Sequence, residues 1–392
     1  MKKLFTLAAA ASLAAASLSA QAQVTVDGVL NTAEIGGTSG YVLIGKYTNA
    51  RGFGDAGLLS LYVATTATKV TFFLGGTVEA NGNSFQMYLK TPASAGVPAG
   101  TALPSGTTGT SFEKMNAKLD LATNLAIALR SATGGYKLEG ISYTSATAAT
   151  TEAALVGANP VLGTGVASTV SATTIPALVG ARVAYRATAD GKLVGANTAT
   201  PSNPGAITPN TAAGYGAAGS YGMEFELDRA AAGLTGTAAL RVFAVQNNND
   251  GGFLSTDFIP QSTAAAAATT ATNLGLNPDF STISGTQAAS LNLTATGVTL
   301  ATKAADAALI GLNVYPNPTM GTAVVSYRVA QAATVSIALT DLLGRPVRTV
   351  ESGAKTVGNQ TSTLNTSDLA AGTYLVRVQV GENVSTSKIS VL

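Results

Sequence analysis

The sequence predicts an all-β protein, built from a large irregular β-sandwich with long loops and a small immunoglobulin-like β-sandwich after it. Three observations support this fold class. Many short runs alternate apolar and polar residues with a period of two, the pattern of a strand that buries one face. Turn residues such as Gly, Asn and Pro separate these runs at short spacing. No segment of the 392 residues has the pattern of a long amphipathic helix.

Residues 1–22 are predicted to be a signal peptide that is removed during export. A basic start precedes the apolar run 4–16, which is too short to span a membrane as a helix. Ala20 and Ala22 fit the small-residue positions of a cleavage site, so the mature chain is expected to begin at Gln23. No later segment has about 18 consecutive strongly apolar residues, and no membrane span is expected.

Residues 23–301 are predicted to form the large sandwich. Asn81 and Gly82 give the clearest hairpin signal, because this dipeptide favours tight turns. Gly134 and Gly135 predict a second hairpin, which makes a strand at the end of residues 119–129 preferable to a helix there. The other expected strands are residues 59–64, 69–74, 84–90, 136–143, 182–186, 222–227, 239–245, 253–260 and 291–300.

Residues 312–392 are predicted to form the small sandwich, and residues 302–311 the linker before it. Pro316 and Pro318 fix φ and remove backbone donors, which predicts a stiff extended lead-in. Short alternating strands follow, joined by turns that contain Gly344 and Gly372, both expected where a side chain would be disfavoured. On these features alone, the tail could be an ordinary immunoglobulin-like module with a proline lead-in.

The tail also carries four motifs in a fixed order: residues 314–318, residues 341–345, residues 368–374 and the last strand, which contains Lys388. Together they resemble the type A C-terminal sorting domain of the type IX secretion system. Members of that family come from Bacteroidota. The resemblance implies that secretion machinery in the periplasm recognises the tail, that the tail guides passage across the outer membrane, and that a surface protease usually removes it. With the signal peptide, it implies a secreted or cell-surface protein. The residues that carry the resemblance are Tyr315, Pro316, Asn317, Pro318, Gly321, Gly344, Gly372, Tyr374 and Lys388.

Composition excludes several functional classes. The formal net charge is +2, and charged residues make up 11% of the chain, so no basic field for nucleic acid is present. The chain has no Cys and no His, which removes disulfides, thiol and Ser-His-Asp catalysis, and Cys- or His-based metal sites. It also lacks Trp, the best side chain for stacking on cations. No cofactor and no catalytic residue is predicted.

A second resemblance concerns residues 24–30 with Glu34, and residues 223–227. These segments resemble the opening and a late strand of family 9 carbohydrate-binding modules and related DOMON-like sandwiches. The resemblance implies a surface glycan as ligand. Those modules usually carry Trp near the opening and in the sugar site, and this chain has none.

Three groups of residues allow a functional and a structural interpretation. Acidic residues at i, i+2 and i+4 on a strand form either a Ca²⁺ or glycosidase site or a solvated face. An Asn-rich turn at residues 247–252 resembles half of a Ca²⁺ loop, but it is more typical of a hairpin tip on a strand adjacent to the acidic one. Scattered tyrosines form either a sugar-stacking platform or sandwich edges with hydroxyls in water. We predict the structural interpretation for each, with no metal site. The acids are Glu224, Glu226 and Asp228, and the tyrosines are Tyr41, Tyr47, Tyr62, Tyr88, Tyr136, Tyr143, Tyr185, Tyr215 and Tyr221.

The sequence therefore predicts an exported, non-catalytic surface or matrix protein. A carbohydrate-binding module is the alternative, and a carboxylate-based glycoside hydrolase the third hypothesis.

Overall fold

The computed structural model describes residues 24–49, 55–148, 150–170, 174–194, 202–206, 214–261, 273–283, 287–300, 310–329, 333–341, 345–381 and 383–392. The predicted cleavage site at Ala20 and Ala22, the expected new N-terminus Gln23, Gly344 and residues 302–309 of the predicted linker lie outside these ranges.

The prediction of an all-β fold is confirmed, with 52% of the residues in strands and 3% in helices. In the described ranges the helical residues are three single-turn 3₁₀ helices, at Thr32–Glu34, Pro176–Leu178 and Phe280–Thr282, and the single residue Ile310. No helix in this part of the chain has the length and apolar content that a membrane crossing needs. The strands up to residue 300 are β1 (Val42–Lys46), β2 (Gly57–Thr65), β3 (Lys69–Thr77), β4 (Ser84–Lys90), β5 (Leu125–Ala132), β6 (Gly135–Ser142), β7 (Thr151–Asn159), β8 (Ser168–Thr169), β9 (Arg182–Tyr185), β10 (Gly222–Asp228), β11 (Ala238–Asn247), β12 (Phe253–Ile259), β13 (Asn273–Leu276), β14 (Ala289–Leu293) and β15 (Val298–Leu300).

These strands form two antiparallel sheets that face each other. The six-stranded sheet has the order β1-β2-β3-β10-β9-β8. The nine-stranded sheet has the order β13-β12-β11-β4-β5-β6-β7, and β14 pairs with β11 and β15. Alternate residues of both sheets meet in one buried core, to which β3 contributes Val70, Phe72 and Leu74. Each large apolar side chain buried in this way stabilises the fold by about 1.5–3 kcal/mol.

The outer face of each sheet is also covered. Residues 24–41 lie over the six-stranded sheet, where Leu30 and Tyr41 pack against Tyr62 and Phe73. A second apolar cluster covers the outer face of the nine-stranded sheet, and loop residues such as Phe112 take part in it. The large domain is therefore a sandwich with extra layers of irregular chain, which explains its long loops.

The C-terminal sandwich has its own sheets and its own core. Among the described residues no strand pairing joins it to the sheets of the large sandwich. Its three-stranded sheet has the order β16-β17-β20 and its four-stranded sheet the order β19-β18-β21-β22. Ile310, which the sequence assigned to the linker, is buried in this core. The strands are β16 (Asn313–Tyr315), β17 (Thr322–Val329), β18 (Ala333–Thr340), β19 (Pro346–Lys355), β20 (Gly358–Asn365), β21 (Gly372–Val380) and β22 (Asn383–Val391).

Several strands differ from the prediction. Strand β7 lies within residues 144–174, which were expected to be a loop because this stretch is rich in small residues and lacks a clear period-2 pattern. Strands β1 and β13 were not predicted. The expected strand at 291–300 is a hairpin of β14 and β15, in which the amide of Thr294 donates to the carbonyl of Gly297 at 2.9 Å.

Candidate functional site

The acidic strand β10 has two faces, as the alternation predicts. Met223, Phe225 and Leu227 pack in the core. The opposite face was expected to be solvated, and this is wrong for Glu224, which is fully buried. The reason is that residues 24–41 fold over this end of the strand. The other two acids reach the surface and form ion pairs: Glu226 with Arg182 at 3.8 Å and Asp228 with Lys69 at 3.5 Å.

Every hydrogen bond that Glu224 accepts comes from the covering segment. The backbone amides of Asp27 and Gly28 donate to its Oε2 at 2.6 and 2.7 Å, and the Tyr41 hydroxyl donates to its Oε1 at 2.7 Å. Burial raises the pKa of Glu224 to about 8, although these hydrogen bonds favour the charged form. Because both carboxylate oxygens are engaged by the protein itself, this acid serves packing of the segment.

The opening motif fixes the same segment from its own side. Glu34 is buried and accepts hydrogen bonds from the amides of Thr25 at 2.8 Å and Asn31 at 3.1 Å. Gly28 has φ +72°, and a Cβ there would lie 2.6 Å from the amide nitrogen of Arg186. Only glycine fits this contact. The residues that carry the carbohydrate-module resemblance therefore act in internal contacts here.

The Asn-rich turn at residues 247–252 is a hairpin tip between β11 and β12. Gly251 has φ +81°, and the amide of Asn248 donates to the carbonyl of Phe253 at 3.0 Å. Asp250 pairs with Lys114 at 2.7 Å. Within the described ranges no group of three acidic residues is arranged to hold a metal ion. The expectation that this turn and the acidic strand lie on adjacent strands is wrong, since β10 and β11 belong to different sheets.

Arg229 stabilises the connection in which the chain crosses from β10 in one sheet to β11 in the other. The sequence did not predict this role. Its side chain is 1% exposed and makes no ion pair among the described residues. The guanidinium instead donates to the carbonyls of Leu234 at 2.8 Å, Thr66 at 2.7 Å and Thr294 at 2.5 Å, and also to the carbonyl of Gly236. These acceptors are backbone atoms of separate loops, so no residue type in the sequence signals them.

The tyrosines form neither a stacking platform nor exposed sandwich edges. Several of their hydroxyls bond within the protein. Tyr185 accepts from the amide of Val78 at 2.8 Å, and Tyr62 donates to the carbonyl of Gly216 at 3.2 Å, while the Tyr143 hydroxyl is buried without a hydrogen-bond partner in the described part of the chain. Both interpretations fail because loops and the N-terminal segment cover the outer faces of the sheets. Those buried are Tyr41, Tyr47, Tyr62, Tyr88, Tyr143, Tyr185 and Tyr215, while Tyr136 and Tyr221 are partly exposed.

In the C-terminal sandwich the motifs that are far apart in sequence meet at one end. Gly372, at the start of β21, pairs with Val391 at the end of β22. Thr340, at the end of β18, pairs with Leu375 and with Pro346, so the end of β18 and the start of β19 lie at the same end. We call this the motif end.

The proline segment closes the edge of the four-stranded sheet there. The chain leaves the three-stranded sheet at Tyr315, runs beside β22 and returns at β17. The Asn317 side chain imitates a strand residue: its amide group donates to the carbonyl of Lys388, and its oxygen accepts from the amide of Ser390, each at 2.9 Å. Thr319 adds backbone bonds to Ser390 at 2.9 Å and to Leu392 at 3.0 Å. Pro316 and Pro318 flank Asn317 and offer no donor that would need a partner.

The other motif residues brace the neighbouring turns. The Tyr374 hydroxyl donates to the carbonyl of Ala370 at 2.9 Å, which clamps the turn before β21. Arg345 Nε donates to Asp341 at 2.6 Å on either side of the connection that contains Gly344. The expectation that Gly372 occupies a position hostile to a side chain is wrong, because a Cβ would meet no atom closer than 3.9 Å.

The motif end exposes apolar and basic groups together. Tyr315 is 48% exposed, Met320 83% and Leu392 66%, and Pro316 and Pro318 are exposed beside them. Lys388 and Gly321 lie in the same region, with Lys388 exposed and no atom within 4 Å of a Cβ built on Gly321. An exposed apolar group on a small domain is typical of a surface that contacts a partner.

Over its whole length this chain has little similarity to known proteins. No curated protein matches it. Two solved structures from Porphyromonas gingivalis have low similarity to this chain. The match with dimeric latent PorU has 11% identity and a TM-score of 0.17, and it covers 91% of this chain and 33% of the PorU chain. The match with PorZ, an essential surface component of the type IX secretion system, has 15% identity and a TM-score of 0.16. It covers 84% of this chain and 45% of the PorZ chain. This chain thus spans less than half the length of either, and scores this low do not define its fold or activity.

The family comparison is specific to the tail. Residues 313–392 match the family described as the secretion system C-terminal sorting domain. This range covers every motif residue from Tyr315 to Lys388 and begins within β16. Residues 313–392 of this chain are therefore a secretion system C-terminal sorting domain.

Proposed function

We propose that this protein crosses the inner membrane with its signal peptide and is then exported by the type IX secretion system, whose machinery contacts the motif end. A sorting domain of this family indicates export to the cell surface or secretion. The observation that carries the proposal is the convergence of the four motifs on one exposed end of the C-terminal sandwich. Motifs that are distant in sequence thereby form one surface that a partner can contact.

We further propose that the large sandwich acts as a non-catalytic surface or matrix protein. The absence of His and Cys from the sequence supports this role, because most nucleophilic and metal-dependent chemistry needs those residues. The engagement of the β10 acids supports it as well: Glu224 bonds to the covering segment, and Glu226 and Asp228 form ion pairs. A glycosidase needs two carboxyl groups that face a cleft.

The export proposal is tested by the full chain and a chain that ends at residue 301, both expressed with the signal peptide in a host that has type IX machinery. The full chain is expected outside the cell and the shortened chain in the periplasm. Export of the shortened chain at the same level would refute a role for the tail.

A glycan array with the purified mature protein tests the role of the large sandwich. We expect no specific binding. Saturable binding to one class of glycan would instead support the carbohydrate-binding alternative. Hydrolysis of a bound glycan would refute a non-catalytic role.

A further inference from the structure

Residues 24–41, which we call the N-terminal strap, form a separate layer on the outer face of the six-stranded sheet. Leu30 and Tyr41 supply its apolar contacts. The Tyr41 ring stacks edge-on against Tyr62 at 6.4 Å and Phe73 at 6.2 Å between ring centroids. These contacts are few compared with those of the core, so hydrogen bonds hold much of the strap. They are backbone bonds of Gly28 and Leu30 to residues 219–222 and the bonds to the Glu224 carboxyl group.

Glu224 is the part of this fastening that can titrate. The three hydrogen bonds to Glu224 join the strap to β10 across up to 197 residues of sequence. They reach both ends of the strap, through Asp27 and Gly28 on one side and Tyr41 on the other. Release of this one carboxyl group would therefore weaken the attachment of the strap near both of its ends.

No cation compensates a charge on Glu224. The strap presents only Asp27, Glu34 and Tyr41 to it, and the residues directly opposite on β3 and β9 are Phe73 and Ala184. The basic groups near this face are engaged elsewhere: Arg182 pairs with Glu226, Lys69 pairs with Asp228, and Arg186 lies 5.0 Å above the Tyr221 ring. In the described part of the chain Glu224 makes no ion pair. An uncompensated buried carboxylate is costly, and the charge of Glu34 nearby adds to that cost.

A protonated Glu224 fits the same geometry. Its Oε2 still accepts from the amides of Asp27 and Gly28, while the proton on Oε1 is donated to the oxygen of the Tyr41 hydroxyl, which turns from donor to acceptor. The closed strap therefore accommodates a neutral acid without any atom moving.

We propose that the N-terminal strap is a pH-sensitive latch, closed on the six-stranded sheet while Glu224 holds a proton and loosened when Glu224 is ionised.

The sign of the pH effect follows from the two states. In the closed state the pKa of Glu224 lies near 8, chiefly because of burial, against an ordinary value of 4.5. A raised carboxyl pKa stabilises the closed state at low pH, and that stabilisation is lost as pH rises between the two values. The ratio of closed to open strap should fall by about tenfold per pH unit in this window.

Hydrogen exchange of the mature full-length protein, followed by mass spectrometry and corrected for the intrinsic effect of pH, tests the latch. Protection of residues 24–41 is expected to fall about 100-fold from pH 5.5 to pH 7.5, at about tenfold per unit. Glu224→Gln, which resembles the neutral acid, should make protection independent of pH. Glu226→Gln is the matched control on the same face, two residues along, and should behave like the wild type.

Tyr41→Phe provides a second test that does not depend on the Glu224 variant folding. The Tyr41 hydrogen bond lowers the pKa of Glu224, so its removal should move the loss of protection to higher pH. A purely structural contact would lower protection without moving this pH. The latch is refuted if wild-type strap protection does not vary with pH, or if amides of β4 and β5 lose protection to the same degree as the strap.

Discussion

Replacement of Arg229 should destabilise the large sandwich more than replacement of other arginines. Its guanidinium is almost fully buried and bonds to carbonyls from three separate loops. Arg229→Met removes the charge and leaves these acceptors without donors inside the protein, each at about 1–3 kcal/mol. Because several of them remain near water, we expect a total loss of about 3–5 kcal/mol. The melting temperature should fall by roughly 10 °C, at about 2–4 °C per kcal/mol for a domain of this size.

Chemical denaturation of the mature protein measures this loss directly. Arg182→Met is the matched control, because its side chain is 44% exposed and sits 3.8 Å from Glu226. An exposed ion pair contributes at most about 1 kcal/mol. Arg229→Lys should fall between the two, since an ammonium group cannot reach as many acceptors as a guanidinium. A loss below about 1 kcal/mol in Arg229→Met would show that water replaces the guanidinium, and would refute its role at the crossing.

Three further predictions concern other contacts. Gly28→Ala should destabilise the protein by about 2 kcal/mol or more in calorimetry, because φ is +72° and its Cβ would meet Arg186. Gly36→Ala, at φ +74° with open space around it, should cost only about 1 kcal/mol. The unfolding free energy of the wild type should decrease by up to about 1.4 kcal/mol per pH unit between pH 5.5 and 7.5. Glu224→Gln should remove most of this slope, and equal slopes in the two proteins would contradict the prediction. Tyr374→Phe should destabilise the C-terminal sandwich by about 1 kcal/mol through loss of its hydrogen bond, and an unchanged unfolding transition would contradict that role.

The sequence predicted features that depend on local patterns. Strands β4 and β10 occupy almost the residues expected from their alternation, and the hairpin at Gly134 and Gly135 lies where the glycines indicate. Both have strong period-2 or turn signals. Strand β7 was missed because Ala and Gly fill four of its nine positions, and its place depends on pairing with β6.

Features that depend on distant contacts were not predictable. The burial of Glu224 follows from a segment about 200 residues earlier in the chain, and nothing near β10 in sequence signals that cover. Most partners of Arg229 are backbone carbonyls, which every residue carries; the exception is the Thr65 hydroxyl. At the tail, the order of the motifs was visible, but that Asn317 bonds to β22 became clear only from the fold.

Secretion of full-length variants tests the central claim, that the motif end is the surface that the export machinery contacts. Tyr315→Ser combined with Met320→Ser alters two exposed residues of that end. Val357→Ser is the matched control, because Val357 is 63% exposed in the turn between β19 and β20, at the opposite end of the sandwich. With both proteins shown by melting to be folded, the double variant should accumulate in the periplasm and the control should be exported like the wild type. Equal export of the two would contradict the assignment of the motif end.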